Sequence, residues 1–354
     1  MFKLEPRNEQ SLFFVYFSPF ISVIMSIFAG AVMFMVLGEN PVEAMKIIFI
    51  NPLKSLFGLS ELMVKATPLI IIAIGLSLGF KAGVWNIGAE GQYTIGALCS
   101  GSLALALYPI SGFWVLPLVL IAGIIGGSIW AAIPALLKTK FNTHEILVSL
   151  MLTYVAILLL SVMVHGPLRD PDGFNFPESR LFHYSALLPI LIEGTRAHIG
   201  TIFALIIVFG AYVIMGKHVI GYQIRISGES SKALSFSGYS KKTIIWICFL
   251  TSGALAGIAG AIDITGPVGQ LVPSIPVGYG FTGIIVAFLG RLNPVGILFS
   301  GILLALTYIG GEAAQIKMSL PSAITGVFQG MLLFFLLATD VLVNYKIKLK
   351  RFFK

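Results

Sequence analysis

Lys81-Ala-Gly-Val-Trp-Asn-Ile-Gly-Ala-Glu-Gly-Gln92 breaks a stretch that is otherwise apolar from Pro68 to Leu107. A glutamate, an asparagine and a glutamine among three glycines are expensive at membrane depth. An ionised side chain near a helix centre costs roughly 2.5–3.5 kcal/mol on insertion scales, so it survives where it faces protein or a wet path. Irregular backbone is tolerated at that depth under the same condition. The stretch therefore reads as the lining of a polar route across a membrane, with Asn86, Glu90 and Gln92 as the residues of that path.

Composition agrees. Of 354 residues, 57% are hydrophobic and 11% charged, and mean hydropathy is +0.96. Soluble domains carry about 25% charged residues, so a soluble enzyme or binding domain is excluded. Apolar runs near residues 12–37, 62–80, 92–107, 114–137, 145–165, 200–217, 243–263, 277–290, 294–310 and 321–344 predict an all-α polytopic membrane protein. About ten transmembrane helices are expected, some short or broken. The first run is too long for the roughly 7–15-residue core of a signal peptide and reads as an uncleaved helix. Cys99 and Cys248 fall inside predicted spans and read as packing residues, with no disulfide or metal framework.

Ten crossings put both termini on one side. Lys46, Lys54, Lys65, Arg169, Arg180, Arg196 and Lys317 fall on the other side, and the remaining 16 of the 23 basic residues share the side of the termini. The positive-inside rule makes that side the cytoplasm. The net charge of +8 then needs no nucleic-acid partner, because a basic tail beside anionic membrane lipid accounts for it. The expected organisation is a cytoplasmic N-terminus (1–11), one transmembrane domain (12–344) and a basic cytoplasmic tail (345–354).

Two loops are long enough to have a task of their own. The external segment 166–199 opens with Gly166-Pro-Leu-Arg-Asp-Pro, which cannot be helical throughout. It reads either as a surface connection or as a docking surface for an external partner, with Arg169 and Asp170 as its charged residues. The cytoplasmic segment 217–242 is helix-compatible from Ser230 to Phe236 and has a glycine stop at Gly238. It reads either as a connector or as the surface that receives a push from a soluble motor.

A second interruption lies in the C-terminal half, at Gly278-Tyr-Gly-Phe-Thr-Gly-Ile-Ile-Val-Ala-Phe-Leu-Gly290 and Arg291-Leu-Asn-Pro-Val-Gly296. Paired interruptions in two halves point to a substrate path in membrane transporters, while tight cytoplasmic turns are the plain alternative. The spacings Gly123/Gly127, Gly253/Gly257 and Gly326/Gly330 predict close helix packing. Asp263 and Glu312 sit near predicted external ends and are expected to be solvated, and Asp340 is expected to face Lys346 or water. No phosphate-loop motif is present, and no zinc-ligand or Ser/His/Asp spacing appears, so catalysis by this chain is not expected.

The stretch Lys81–Gln92 closely resembles the signature of inner-membrane permease subunits of ATP-binding-cassette importers of the ribose and branched-chain amino acid class. More narrowly, Asn86-Ile-Gly-Ala-Glu-Gly-Gln92 is similar to the bacterial nucleoside, or simple-sugar-type, permeases. The likeness extends over nearly the whole chain, through Asn40-Pro41, Gly166-Pro-Leu-Arg-Asp-Pro171, Gly194-Thr195-Arg196 with His198, and Arg225 to Gly238. It departs from the family pattern at His144-Glu145, at Thr153 and at Gly228-Glu-Ser-Ser.

The resemblance implies a permease of the bacterial plasma membrane, without a cofactor, that carries nucleosides. It implies partners: an ATPase subunit, a second and shorter permease subunit, and an external substrate-binding lipoprotein. Arg225, Gly228, Glu229, Lys232, Ala233 and Gly238 are implied to couple to the ATPase. The alternatives are a permease for ribose or another simple sugar and, in a different class, an ion-coupled transporter with Glu90 as a proton site.

Overall fold

The computed structural model describes residues 2–6, 12–321 and 323–349. Residues 7–11 and 350–354, parts of the expected N-terminal segment and basic tail, lie outside the described residues, as does the Asp340 side chain. The described helices are α1 (Leu12–Val36), α2 (Pro41–Phe49), α3 (Leu56–Lys81), α4 (Ala89–Ala106), α5 (Val115–Phe141), α6 (Glu145–His165) and α7 (Gly200–Lys217). They continue with α8 (Val219–Glu229), α9 (Ser231–Phe236), α10 (Lys241–Asp263), α11 (Tyr279–Leu289), α12 (Pro294–Met318) and α13 (Ala323–Asn344). A short antiparallel ribbon pairs β1 (Phe2–Pro6) with β2 (Tyr345–Leu349). Among the described residues, seven helices are long and apolar enough to cross a membrane: α1, α3, α5, α6, α7, α10 and α12.

The chain divides into two compact units, residues 1–58 with 306–354 and residues 59–305. In the first, α1 lies against α13. A Cβ on Gly30 would come within 2.7 Å of the Phe328 ring, so only glycine allows that approach. Phe34, Ala44, Ile47, Ile48, Ala314 and Leu320 form its buried core.

The second unit is built on α4, α5 and α10. Gly96 of α4 meets Gly257 of α10 backbone to backbone, and Gly257 in turn approaches Gly123 and Gly127 of α5. Lipid offers no hydrophobic drive for helix association, so contact of this kind comes from close backbone approach. The two small-residue pairs at Gly123/Gly127 and Gly253/Gly257 thus form one three-helix contact. Gly326 and Gly330 differ, since a Cβ at either would meet nothing within 4 Å.

Around this contact α3 is sheathed by protein, and Leu69 to Leu78 are all buried. The continuous apolar run of α3 follows from burial on every face. On the cytoplasmic side predicted from charge, Ile224 of α8 and Leu234 of α9 join Ile244, Ile245 and Phe249 of α10 in a core cluster. The α9 helix starts on a Ser230 side chain that accepts from the Ala233 N–H (3.3 Å) and stops at Gly238, with φ +80°. These are the boundaries the sequence predicts.

Replacing Gly257 with Val forces α5 and α10 apart, because a Cβ there lies 3.0 Å from both the Gly123 carbonyl carbon and the Gly127 Cα. The expected cost is about 1–3 kcal/mol or more, read as lower folded abundance and an earlier thermal unfolding transition in detergent. Gly330→Ala, into open space, is expected to leave both unchanged. Equal behaviour of the two variants would contradict this packing.

Candidate functional site

The first interruption begins where α3 ends. Gly83 takes φ +73°, the left-handed conformation that closes a helix C-terminus, and the Val84 N–H returns to the Gly79 carbonyl at 2.9 Å. The chain then runs without regular structure to Gly88 and restarts as α4. Asn86 organises this crossing. Its Oδ1 accepts from the Gly88 N–H (3.0 Å) and from Gln92 Nε2 (3.1 Å), while its Nδ2 donates to Gln92 Oε1 (2.9 Å) and Ser252 Oγ (3.0 Å). Both amides are buried, so their hydrogen-bonding capacity is met within the protein.

Glu90 does the corresponding work between the two interruptions. It is 1% exposed, and its carboxylate accepts from the Gly278 N–H at 2.8 Å and the Gly280 N–H at 2.5 Å. These are amides that the first turn of α11 leaves without helical partners. The carboxylate therefore caps α11 from another helix and also meets the positive end of its dipole. Gly280 is required here, because a Cβ would lie 2.5 Å from the Glu90 Cα. Glu90 thus fixes freed backbone N–H groups of the second interruption rather than of its own. Lys81, at the start of the first interruption, sits beside Arg225.

The capped segment carries Tyr279, whose ring meets Tyr93 edge-on at 5.9 Å. The Tyr93 hydroxyl donates to Asp263 at 2.5 Å. Asp263 is buried, which corrects its expected place at a solvated end: α10 continues into a π-type turn at Ile264–Val268, and Tyr93 closes on its carboxylate. Lys65 and Arg196 act on this carboxylate electrostatically and offset its charge. Glu312 is exposed, as expected. α11 itself has 11 residues, about 16 Å at 1.5 Å per residue, or half of a bilayer core. At its far end the basic residue lies in a tight turn, with Arg291 and Leu292 at φ 56° and 54°. The Arg291 side of the second interruption is thus the plain turn, and the Gly278–Gly280 side is the part tied to the first.

The segment 217–242 touches the first interruption directly. Ser227 Oγ donates to the Ala82 carbonyl at 3.2 Å, and a Cβ on Gly228 would run into the Lys81 carbonyl. Arg225 and Gly228 thus lie on the α8 side, against the interruption. Glu229 ends α8, and Lys232 and Ala233 are exposed on α9. Phe236, which the sequence reading did not single out, is 93% exposed at the end of α9.

The loop 166–199 is pinned down along its length. Ser179 and Phe182 donate backbone N–H groups to the Leu271 and Gly269 carbonyls, both at 2.9 Å, and Leu188 donates to Thr265 at 2.8 Å. Arg196 grips the buried Glu61 through two nitrogens. Arg169 is exposed, whereas Asp170 is half-buried with Arg180 at 3.8 Å, so the two candidate docking residues differ in availability. His198 is buried against Gly266, and its Nδ1 accepts from the Gly200 N–H at 3.1 Å. Burial pushes its imidazole down to about 4.

With this geometry in place, sequence comparison identifies the class. The family described as "Branched-chain amino acid transport system / permease component" matches residues 58–337, and the chain belongs to it. It is a multi-pass permease of the plasma membrane. Among its relatives, the glucose ABC transporter permease protein TsgB13 of Haloferax volcanii is 33% identical over 98% of this chain and 93% of that protein. The guanosine ABC transporter permease protein NupP of Bacillus subtilis is 29% identical over 94% of this chain and 96% of its own. The nucleoside ABC transporter permease protein NupB of Lactococcus lactis is 27% identical, over 90% and 89%.

Two outcomes follow from the site. Glu90→Leu leaves two buried N–H donors unmet, at roughly 1–3 kcal/mol each, whereas Glu90→Gln still offers one acceptor. Folded abundance is expected to fall in the order wild type, Gln, Leu; loss of uptake at normal abundance in both variants would indicate proton coupling instead. The neutral His198 ring stabilises the loop above its ordinary pKa of 6.5, and that contribution is lost as pH falls toward 4. Proteolysis within 188–200 is expected to speed up between pH 6.5 and 4, and equal resistance at pH 7 and pH 4 would contradict the assignment.

Proposed function

We propose that this chain forms the membrane path of an importer for nucleosides, driven by ATP hydrolysed on a separate ATPase subunit. The observation that carries the reading is the Glu90 clamp, which ties the Asn86–Gln92 crossing to the start of the half-length helix α11. An interruption built this way supplies polar groups at membrane depth without exposing backbone to lipid. In the conformation described, the groups of Asn86, Glu90 and Gln92 are closed on one another and on Ser252, Gly278 and Gly280. That is the arrangement of a shut path whose amides become available when it opens. The same engagement leaves the ion-coupled alternative without an uncommitted carboxylate at Glu90.

The ten-span reading takes α4, α13 and the half-length α11 together with the seven long apolar helices, and α11 by itself reaches only about half-way across. The pairing of β1 (Phe2–Pro6) with β2 (Tyr345–Leu349) supports an even number, and the excess of basic residues supports a cytoplasmic location for that side. The two compact units then belong to one membrane domain, 12–344. On the cytoplasmic side α9 offers Lys232, Ala233 and the exposed Phe236 to the ATPase, while Gly228 and Ser227 transmit movement to Lys81–Ala82. On the outside Arg169 is available to a substrate-binding lipoprotein, and Asp170 shapes the loop through Arg180. A second, shorter permease subunit completes the path.

The nucleoside assignment is supported by the names of the guanosine and nucleoside permeases, which match nearly end to end. A second reading, a simple sugar such as glucose or ribose, is favoured by the 33% identity to the glucose permease. Uptake of radiolabelled guanosine, uridine, D-ribose and D-glucose by cells carrying the complete transporter separates them. The nucleoside reading predicts guanosine and uridine uptake that stops with ATP depletion; uptake of the free sugars alone would overturn it. Phe236→Asp is expected to reduce uptake at least tenfold with permease abundance intact, since burying a charge at a docking anchor is costly. Normal uptake in that variant would remove α9 from the coupling surface.

A further inference from the structure

Trp85 stands out within the first interruption. Its neighbours Val84 and Asn86 are buried, yet its own side chain is 40% exposed. The backbone is thus fixed on both sides while the indole projects. Two other rings hold it from behind. Phe288 of α11 is nearly parallel to it, at 5.9 Å and 24°, and Phe80 of α3 stacks on Phe288 at 5.1 Å and 20°. Phe80 and Trp85 are themselves 5.1 Å apart. Phe281 and Ile284 continue the open face of α11 at helical spacing from Phe288. Both polypeptide interruptions, otherwise closed by Glu90, contribute to this single aromatic assembly.

A lipid-facing role fits the position poorly. The backbone from Ala82 to Gly88 is irregular, and such backbone is found at membrane depth only beside protein or water. Gly83 is exposed and Lys81 is half-buried at the same place. An indole kept rigid, open on one side and next to a polar crossing has the properties of a stacking platform. Every nucleobase has a π face, so a platform accepts purines and pyrimidines alike without reading their edges. One open face also binds weakly enough to release what it meets.

We propose that Trp85, backed by Phe288 and Phe80, is the surface on which the base of a nucleoside stacks in passage, and that it sets the preference for nucleosides over free sugars. This rests on the nucleoside reading above. Trp85→Leu keeps an apolar side chain but removes the ring, and Trp85→Phe keeps a smaller ring. The external subunit collects the substrate, so the effect belongs in the maximal rate of uptake.

The test measures maximal uptake of guanosine and of uridine, with permease abundance and subunit assembly, in cells carrying the complete transporter. Removing one stacking partner corresponds to a loss of about tenfold. Trp85→Leu is expected to show that loss for guanosine and a smaller one for uridine, whose single ring stacks less. Trp85→Phe is expected to recover most of it, at equal abundance in all three proteins. A wild-type rate in the Leu variant, an equal loss for the two nucleosides, or a loss that tracks abundance or assembly would overturn the platform and assign Trp85 to packing or a subunit contact. A wild-type transporter that takes up neither nucleoside would overturn the substrate reading itself, which separates the two failures.

Discussion

One carboxylate holds the two interruptions together. Glu90 starts α4 and at the same time caps α11, whose first amides would otherwise be bare in a buried place. Without it, the crossing at Asn86 and the segment around Tyr279 would be separate loops. With it, α11 is fixed to the three-helix contact of α4, α5 and α10, and Tyr279 is brought against Tyr93 and thereby toward Asp263. The glycines at 278 and 280 follow from the same requirement, one for its left-handed turn and the other for its closeness to the Glu90 backbone.

The contacts continue from that point to both faces of the permease. On one side α8 rests on Lys81 and Ala82 through Gly228 and Ser227, so a displacement of α8 reaches the start of the crossing within a single contact. On the other side the loop 166–199 lies along residues 265–271, just beyond the buried Asp263. A permease worked by an ATPase from within and a binding protein from without needs such continuity. Backbone-to-backbone glycine contacts supply it with few side chains able to yield.

Much of this was legible in the residues. The unusual polarity of Lys81–Gln92 could be read because acidic and amide groups are costly at that depth. The bounds of α9 could be read because Ser230 and Gly238 are local signals that act within a few residues. Partners distant in sequence could not. Gly278 lies 188 residues from Glu90, and nothing in the periodicity of either stretch pairs them. Asp263 differs from its expected place for the same reason: its position at the end of an apolar run suggests water, while Tyr93, which closes on it, lies 170 residues away in the chain. The exposure of Phe236 and Trp85 was equally hidden, since an aromatic residue in an apolar sequence reads as core until its neighbours are known.

Hydrogen exchange of the assembled transporter tests the role of the Glu90 clamp most directly, followed in peptides covering 277–281 and 84–92. Amides bonded to a buried carboxylate exchange only when that contact opens. The account predicts that both segments are protected at rest and lose protection together when ATP turnover opens the path. Rapid exchange of 277–281 at rest, or opening of one segment while the other stays protected, would contradict it.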